Sequence, residues 1–168
     1  MDSLRLKNLQ APLKQQYRDT PDRALVTLRA TGTLDGAGLS CRVDTGRALV
    51  EAGLHPATGG SGLQACSGDM LLEALAACAG VTLNAVATAL DIPIRAGTVN
   101  VEGDLDFRGT LGVSKEVPVG FQTIRVRFAL DTDASPEQLE TLLKLTERYC
   151  VVLQTLRSPA VISATLSS

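Results

Sequence analysis

Apolar and polar positions alternate with a period of two along several short stretches of this chain, and fall at helical spacing along two longer ones. Near the N-terminus, Leu9–Arg18 predicts a short helix interrupted by Pro12 and stopped before Pro21. Ala24–Thr31 is rich in β-branched residues and predicts a strand. Leu34–Gly38 holds Asp35, Gly36 and Gly38, which suit a turn. In Leu39–Asp44, Leu39, Cys41 and Val43 face away from Ser40, Arg42 and Asp44, as in a half-buried strand. Thr45-Gly46 turns the chain again, and Arg47–Ala52 predicts a third strand, giving an antiparallel meander.

Leu54–Gly68 carries Pro56 and four glycines and predicts a loop. Asp69–Leu90 follows, interrupted only by Gly80, with Leu71, Leu72, Leu75, Val81, Leu83 and Val86 on nearly every face. That pattern predicts a helix buried all round, and its many Ala residues would let another helix approach closely. Val99, Val101, Leu105 and Phe107 predict a strand with one wet face, bulged at Gly103. Arg108–Val119 predicts a polar connection, and Ile124, Val126, Phe128 and Leu130 the clearest strand. Ser135, Pro136 and Gln138 form a capping-box start to a second helix. Its apolar stripe is Leu139, Leu142, Leu143, Thr146, Cys150 and Leu153. Ser158-Pro159 ends it, and Ala160–Leu166 predicts a closing strand. The order β-β-β-α-β-β-α-β predicts an α+β fold in which two long helices cover one face of an antiparallel sheet.

Composition narrows the function. With 45% hydrophobic residues, the chain predicts a folded core rather than disorder. A net charge of -2 and only 3% aromatic residues argue against nucleic-acid binding. One His and four Cys, with no C-x-x-C, leave no multi-histidine metal site, zinc ribbon or thioredoxin-type motif. The N-terminal residues show no apolar signal-peptide core, and the charge-free run Ala74–Leu90 is short and mild for a membrane span. These features predict a cytoplasmic protein, where thiols stay reduced unless they are catalytic.

The cysteines are the distinctive chemical asset. Cys78 lies at the centre of the first long helix and Cys150 on the stripe of the second, so the pair can meet across the core. Such a meeting suits a peroxidatic thiolate with a resolving thiol. Packing alone also accounts for both, because free Cys is among the most buried residue types; composition and periodicity by themselves favour that reading. Cys41 and Cys66 read as incidental. A reactive Cys78 needs its thiolate stabilised, and mid-helix placement denies it the local dipole. An arginine is therefore expected from Arg29, Arg42, Arg47, Arg125 or Arg127, each of which also fits a solvated strand face. Asp69 and Glu73 are the nearest acids, but at ~100° per residue both point away from Cys78 on a straight helix. Asp69 contributes only if the helix begins after it or bends; its plainer role is an acid in the first helical turn. His55 reads as a polar loop residue sooner than as a base, and Gly59-Gly60-Ser61-Gly62 matches neither phosphate-binding glycine pattern.

The stretch Ser67-Gly68-Asp69-Met70-Leu71-Leu72-Glu73-Ala74-Leu75-Ala76-Ala77-Cys78 resembles the first cysteine motif of the OsmC/Ohr family. Arg148-Tyr149-Cys150-Val151-Val152-Leu153-Gln154-Thr155-Leu156 resembles its second, and the 72-residue separation fits. The resemblance spans 24–166 and leaves 1–23 as an N-terminal extension to a single domain over 24–168. It implies an OsmC-like fold, an intertwined homodimer with two long central helices, and active sites at the subunit interface. It implies a peroxidase of organic hydroperoxides or hydrogen peroxide in oxidative stress defence, with Cys78 peroxidatic and Cys150 resolving. A dithiol such as protein-bound lipoamide would return the electrons, with no metal or flavin. Gly68 stands where studied peroxidases carry a Glu, and Asp69 is similar to the acid of a more distant branch. The Leu34–Gly38 tip lacks the family's Arg, and Val151 replaces the usual Pro after the second cysteine. These departures motivate the alternative of a non-catalytic dimeric protein that binds a small apolar or thiol ligand.

Overall fold

The computed structural model describes residues 50–107, 109–112 and 114–167. It also describes the backbones of 31–34, 40–44, 49 and 108, and positions 2, 4, 5, 8, 11 and 19. Apart from position 11, the expected Leu9–Arg18 helix, the Ala24–Thr31 strand up to residue 30, and the turn at 35–38 lie outside the described residues.

Strands β1 (Thr31–Leu34), β2 (Ser40–Asp44) and β3 (Leu49–Gly53) form the expected antiparallel meander. Its register pairs Thr31 with Asp44 and Asp44 with Leu49. Short β4 (Ala65–Cys66) adds in parallel to β3. Helix α1 (Ser67–Ala89) follows it directly. Strands β5 (Ala96–Asp104) and β6 (Thr123–Asp131) form a separate two-stranded sheet, with a helical turn α2 (Phe107–Thr110) in their connection. Bonds from Arg95 N to Asp131 O and from Gln122 N to Asp104 O make that pair antiparallel. Helix α3 (Pro136–Tyr149) and helix α4 (Val151–Arg157) complete the fold. The architecture is the α+β class expected.

The chain forms two compact units, one of 1–8, 74–100 and 127–168, the other of 9–73 and 101–126. In the first, Leu83, Ala87, Ile92 and Leu142 form the core, with Phe128, Leu130 and Leu139 packed against it. The Ser135 capping box forms as its residues dictate: Ser135 Oγ accepts from Gln138 N, and the Gln138 side chain accepts from Ser135 N. In the second, an added Cβ at Gly103 would lie 2.7 Å from the Phe121 ring. The glycine therefore makes room for that ring.

Several expectations change. Alternation continues through Gly103, so β5 has no bulge there, and Phe107 starts a helical turn instead of ending a strand. The second helix is not continuous through Leu153; it breaks at Cys150. Leu143, placed on the apolar stripe, is 45% exposed. Ala160–Leu166 forms no strand: Val161, Ile162 and Leu166 are wholly or almost wholly exposed, and among the described residues no strand edge pairs with them. Helix α1 is buried on one stripe only, Leu75, Ala79, Leu83 and Ala87, while Ala74, Ala77 and Val81 face outward. A single α3 covers one side of it. By length and composition α1 would also pass for a membrane span, with a mean hydropathy of 1.7 over its most apolar window.

Candidate functional site

The site grows from a one-residue joint between helices. Cys150 is at once the C-cap of α3 and the residue before α4, with φ -72° and ψ 106°. Its N–H still donates to Thr146 O at 3.0 Å, and its carbonyl accepts from Gln154 N at 2.9 Å. Only the extended ψ between these bonds redirects the chain. The first amides of a helix have no carbonyl partner within it, and the Cys150 side chain makes no capping hydrogen bond to those of α4. Those of Val151 and Val152 turn to the other sulfur, where they favour the Cys78 thiolate. The Val152 and Leu153 amides also act on Cys150, without a capping bond.

The two sulfurs lie 3.4 Å apart, with the Cys150 thiol donating to Cys78. This is a hydrogen-bonding contact, well beyond the ~2.05 Å of an S–S bond. Both cysteines are free thiols. Cys150 is fully buried, whereas Cys78 is partly exposed and open to a small reagent. One turn on from Cys78, the Thr82 hydroxyl also donates to its sulfur.

These contacts divide the pair's acidity. Burial pushes the Cys78 thiol up. The Val152 amide, the Cys150 thiol, the Thr82 hydroxyl and the Val151 amide outweigh it, and Cys78 lies below the ordinary thiol value. For Cys150, burial pushes in the same upward direction as the neighbouring Cys78 sulfur, and its amide donors do not offset them. The contacts thus make Cys78 the more acidic thiol and Cys150 the less acidic one, the division a nucleophile and its partner require.

Among the described residues, the groups that lower Cys78 include no arginine; the amides at the α3–α4 break are among those that do. Arg125 is committed to Asp104, at 2.8 Å through Nη2, and to Glu102 at 3.4 Å. The side chains of Arg29, Arg42 and Arg47 lie outside the described residues. Asp69 sits exposed in the first turn of α1, roughly two and a half turns before Cys78. The helix begins before it, at Ser67, so the first of the two conditions for it to join Cys78 is not met.

Sequence reasoning missed Thr82 and the two valine amides, and took Thr146 only as part of the apolar stripe. Thr82 was readable as the i+4 neighbour of Cys78. The break was not: Cys150-Val151-Val152 holds no glycine or proline. The family's usual Pro after this cysteine was the available signal, since Pro favours the first position of a helix. Thr146, one turn before Cys150, is 1% exposed and its hydroxyl has no hydrogen-bond partner.

In the other unit, a cavity of about 530 Å³ is lined by Leu54, His55, Cys66, Leu72, Phe107 and Phe121, among others. Asp69 stands on its wall. His55 stacks on Phe107 at 4.8 Å, and its Nδ1 accepts from Ala57 N at 3.0 Å, so the histidine serves the loop. A Cβ at Gly68 would lie 3.5 Å from Phe121 and 3.6 Å from Cys66 Sγ. The absent side chain leaves that wall open. Among the described residues, no three His, Cys, Asp or Glu side chains are grouped to hold a metal ion.

The family model for OsmC-like protein matches residues 60–165, which include both cysteines. No curated protein sequence matches the chain. Among solved structures, an OsmC-like protein from Mycoplasma pneumoniae aligns with a TM-score of 0.66 at 19% identity, covering 80% of this chain and 89% of that one. An organic hydroperoxide resistance protein from Elizabethkingia anophelis aligns with a TM-score of 0.63 at 19% identity, covering 80% and 91%. One from Legionella pneumophila gives 0.62 at 18%, covering 80% and 91%. Those likenesses establish a shared fold, and with a family match over more than half its length the chain belongs to the OsmC-like protein family.

Proposed function

We propose that the chain is a thiol-dependent peroxidase acting on organic hydroperoxides or hydrogen peroxide. The observation that carries this reading is the 3.4 Å contact between a partly exposed Cys78 and a buried Cys150 whose acidities are driven apart. The Cys78 thiolate attacks one peroxide oxygen. The S–O bond forms, the O–O bond breaks, and the other oxygen leaves as an alcohol or water after taking a proton. The Cys150 sulfur then attacks the Cys78 sulfenic acid, an S–S bond forms and water departs. An external dithiol of the lipoamide type reduces the disulfide and is itself oxidised. Support also comes from the Legionella pneumophila and Elizabethkingia anophelis relatives, described as organic hydroperoxide resistance proteins. In this reading Asp69 takes no part in the chemistry.

The working form is a homodimer. The outward face of α1, with Val81 72% exposed, and the apolar tail residues Val161, Ile162 and Leu166 supply the surface that a second copy covers. The test of activity is peroxide consumption with a dithiol donor, for wild type and Cys78→Ser. Loss of turnover in the variant supports the reading, and equal rates overturn it.

The cavity beside Gly68 favours a second reading, a non-catalytic binder of a small apolar ligand. Its walls are largely apolar and aromatic, as in small-molecule sites. That reading expects a Cys78 thiol that titrates no lower than an ordinary cysteine.

A further inference from the structure

The buried hydroxyl of Thr146 has no role in the reduced site. It is 1% exposed, lies one turn before Cys150 on the same face of α3, and neither donates nor accepts a hydrogen bond. The packing places it more closely. Cys150 meets Cys78, while Leu142, two turns before Cys150, packs with Leu83 and Ala87. Thr146 lies between these two contacts on α3. It therefore faces the turn of α1 between Cys78 and Leu83, which carries the fully buried Ala79 and the Thr82 that bonds to Cys78. Valine has the same shape as threonine and would fill this position without burying an unpaired hydroxyl. A hydroxyl stranded in a core costs stability whenever no partner arrives.

The reaction supplies such a partner. When peroxide oxidises Cys78, one oxygen is added to its sulfur, and that oxygen calls for hydrogen bonds on the side where the sulfur faces the protein. We propose that Thr146 is the hydrogen-bond partner of the Cys78 sulfenic oxygen, holding the intermediate until Cys150 attacks. The inference rests on the peroxidase reading above. No atoms beyond those of that cycle are involved: the S–O bond forms in the peroxide step and breaks when water leaves, and Thr146 keeps its proton throughout. Because Thr82 and the α4 amides already serve the sulfur in its reduced state, Thr146 is the group left idle until oxidation. Its removal spares the first step and affects the second species.

The experiment uses the full chain with Cys150→Ser, which removes the resolving thiol so that the sulfenic acid accumulates after a stoichiometric pulse of hydrogen peroxide. Its lifetime is followed by dimedone trapping and intact mass, alongside the melting temperature. Adding Thr146→Val is expected to leave the melting temperature equal or higher and to shorten the sulfenic lifetime roughly fivefold, the effect of one neutral hydrogen bond. Thr146→Ser is expected to restore it. The Thr146→Ser and Thr146→Ala pair differs by the hydroxyl alone and gives the same comparison if valine does not fold. Equal lifetimes with and without the hydroxyl overturn this inference and leave the peroxidase standing. No dimedone adduct in the Cys150→Ser parent overturns both.

Discussion

At Cys78, four hydrogen bonds compete with burial, and each comes from a group that can be removed separately. Alkylation of Cys78 is expected to reach half its maximal rate below pH ~8.5, the ordinary thiol value. Thr82→Val and Cys150→Ala each remove one donor and should move that midpoint upward, which a pH series with a mass-resolved alkylating reagent would measure. The same groups make stability depend on pH. Cys78 is depressed in the folded state, so its contribution is present above the ordinary thiol pKa and is lost as pH falls through the folded value. Cys150 is raised, so its contribution is present below the ordinary value and is lost as pH rises through the folded one. The two thiols together place a stability maximum near the ordinary thiol pKa. Urea unfolding of wild type against Cys78→Ala should show the acid-side loss only where Cys78 remains. At this scale the pair itself was legible, since two cysteines on two core stripes announce a meeting. What activates Cys78 was less so, because amide donors carry no side-chain signature.

At the scale of elements, the joint between α3 and α4 decides the chemistry. Val151 occupies the first position of α4, where proline is tolerated, and Cys150 already holds the extended backbone that a residue before proline prefers. Val151→Pro should therefore fold with a melting temperature close to wild type. It deletes the Val151 N–H to Cys78, so the Cys78 alkylation midpoint should rise; an unmoved midpoint would mean that this amide does not act on the sulfur. The start of α3 was readable from Ser135, Pro136 and Gln138, whose side chains dictate a cap locally. Its end was not, because Arg148-Tyr149-Cys150-Val151 contains no residue that must leave a helix. The one-sided burial of α1 was hidden for a related reason. Ala and Leu on every face show that a helix wants cover, and do not say whether one chain provides it.

Across the whole molecule, several large apolar side chains stand exposed among the described residues, Val81, Val161, Ile162 and Leu166 among them. Val81 projects from the outward face of α1 at 72% exposure, so Val81→Glu alters no core contact within the chain. Light scattering should show a dimer for wild type and a shift toward monomer for Val81→Glu, with the far-UV spectrum of each retained. The α+β order was legible from period-two and helical spacing. The tail at Ala160–Leu166 was not, since its alternation marks a strand without naming the edge it would join. The 72-residue separation of Cys78 and Cys150 bears on the whole chain too. Joining the sulfurs closes a large ring through α1, β5, β6 and α3, and on chain-entropy grounds a ring of that length destabilises the unfolded state by about 4 kcal/mol. The oxidised protein should melt above the reduced one, and calorimetry of the two forms would measure the difference. Each catalytic turn would then take the molecule through a cycle of tightening and release, with its resistance to heat recording how recently it had met an oxidant.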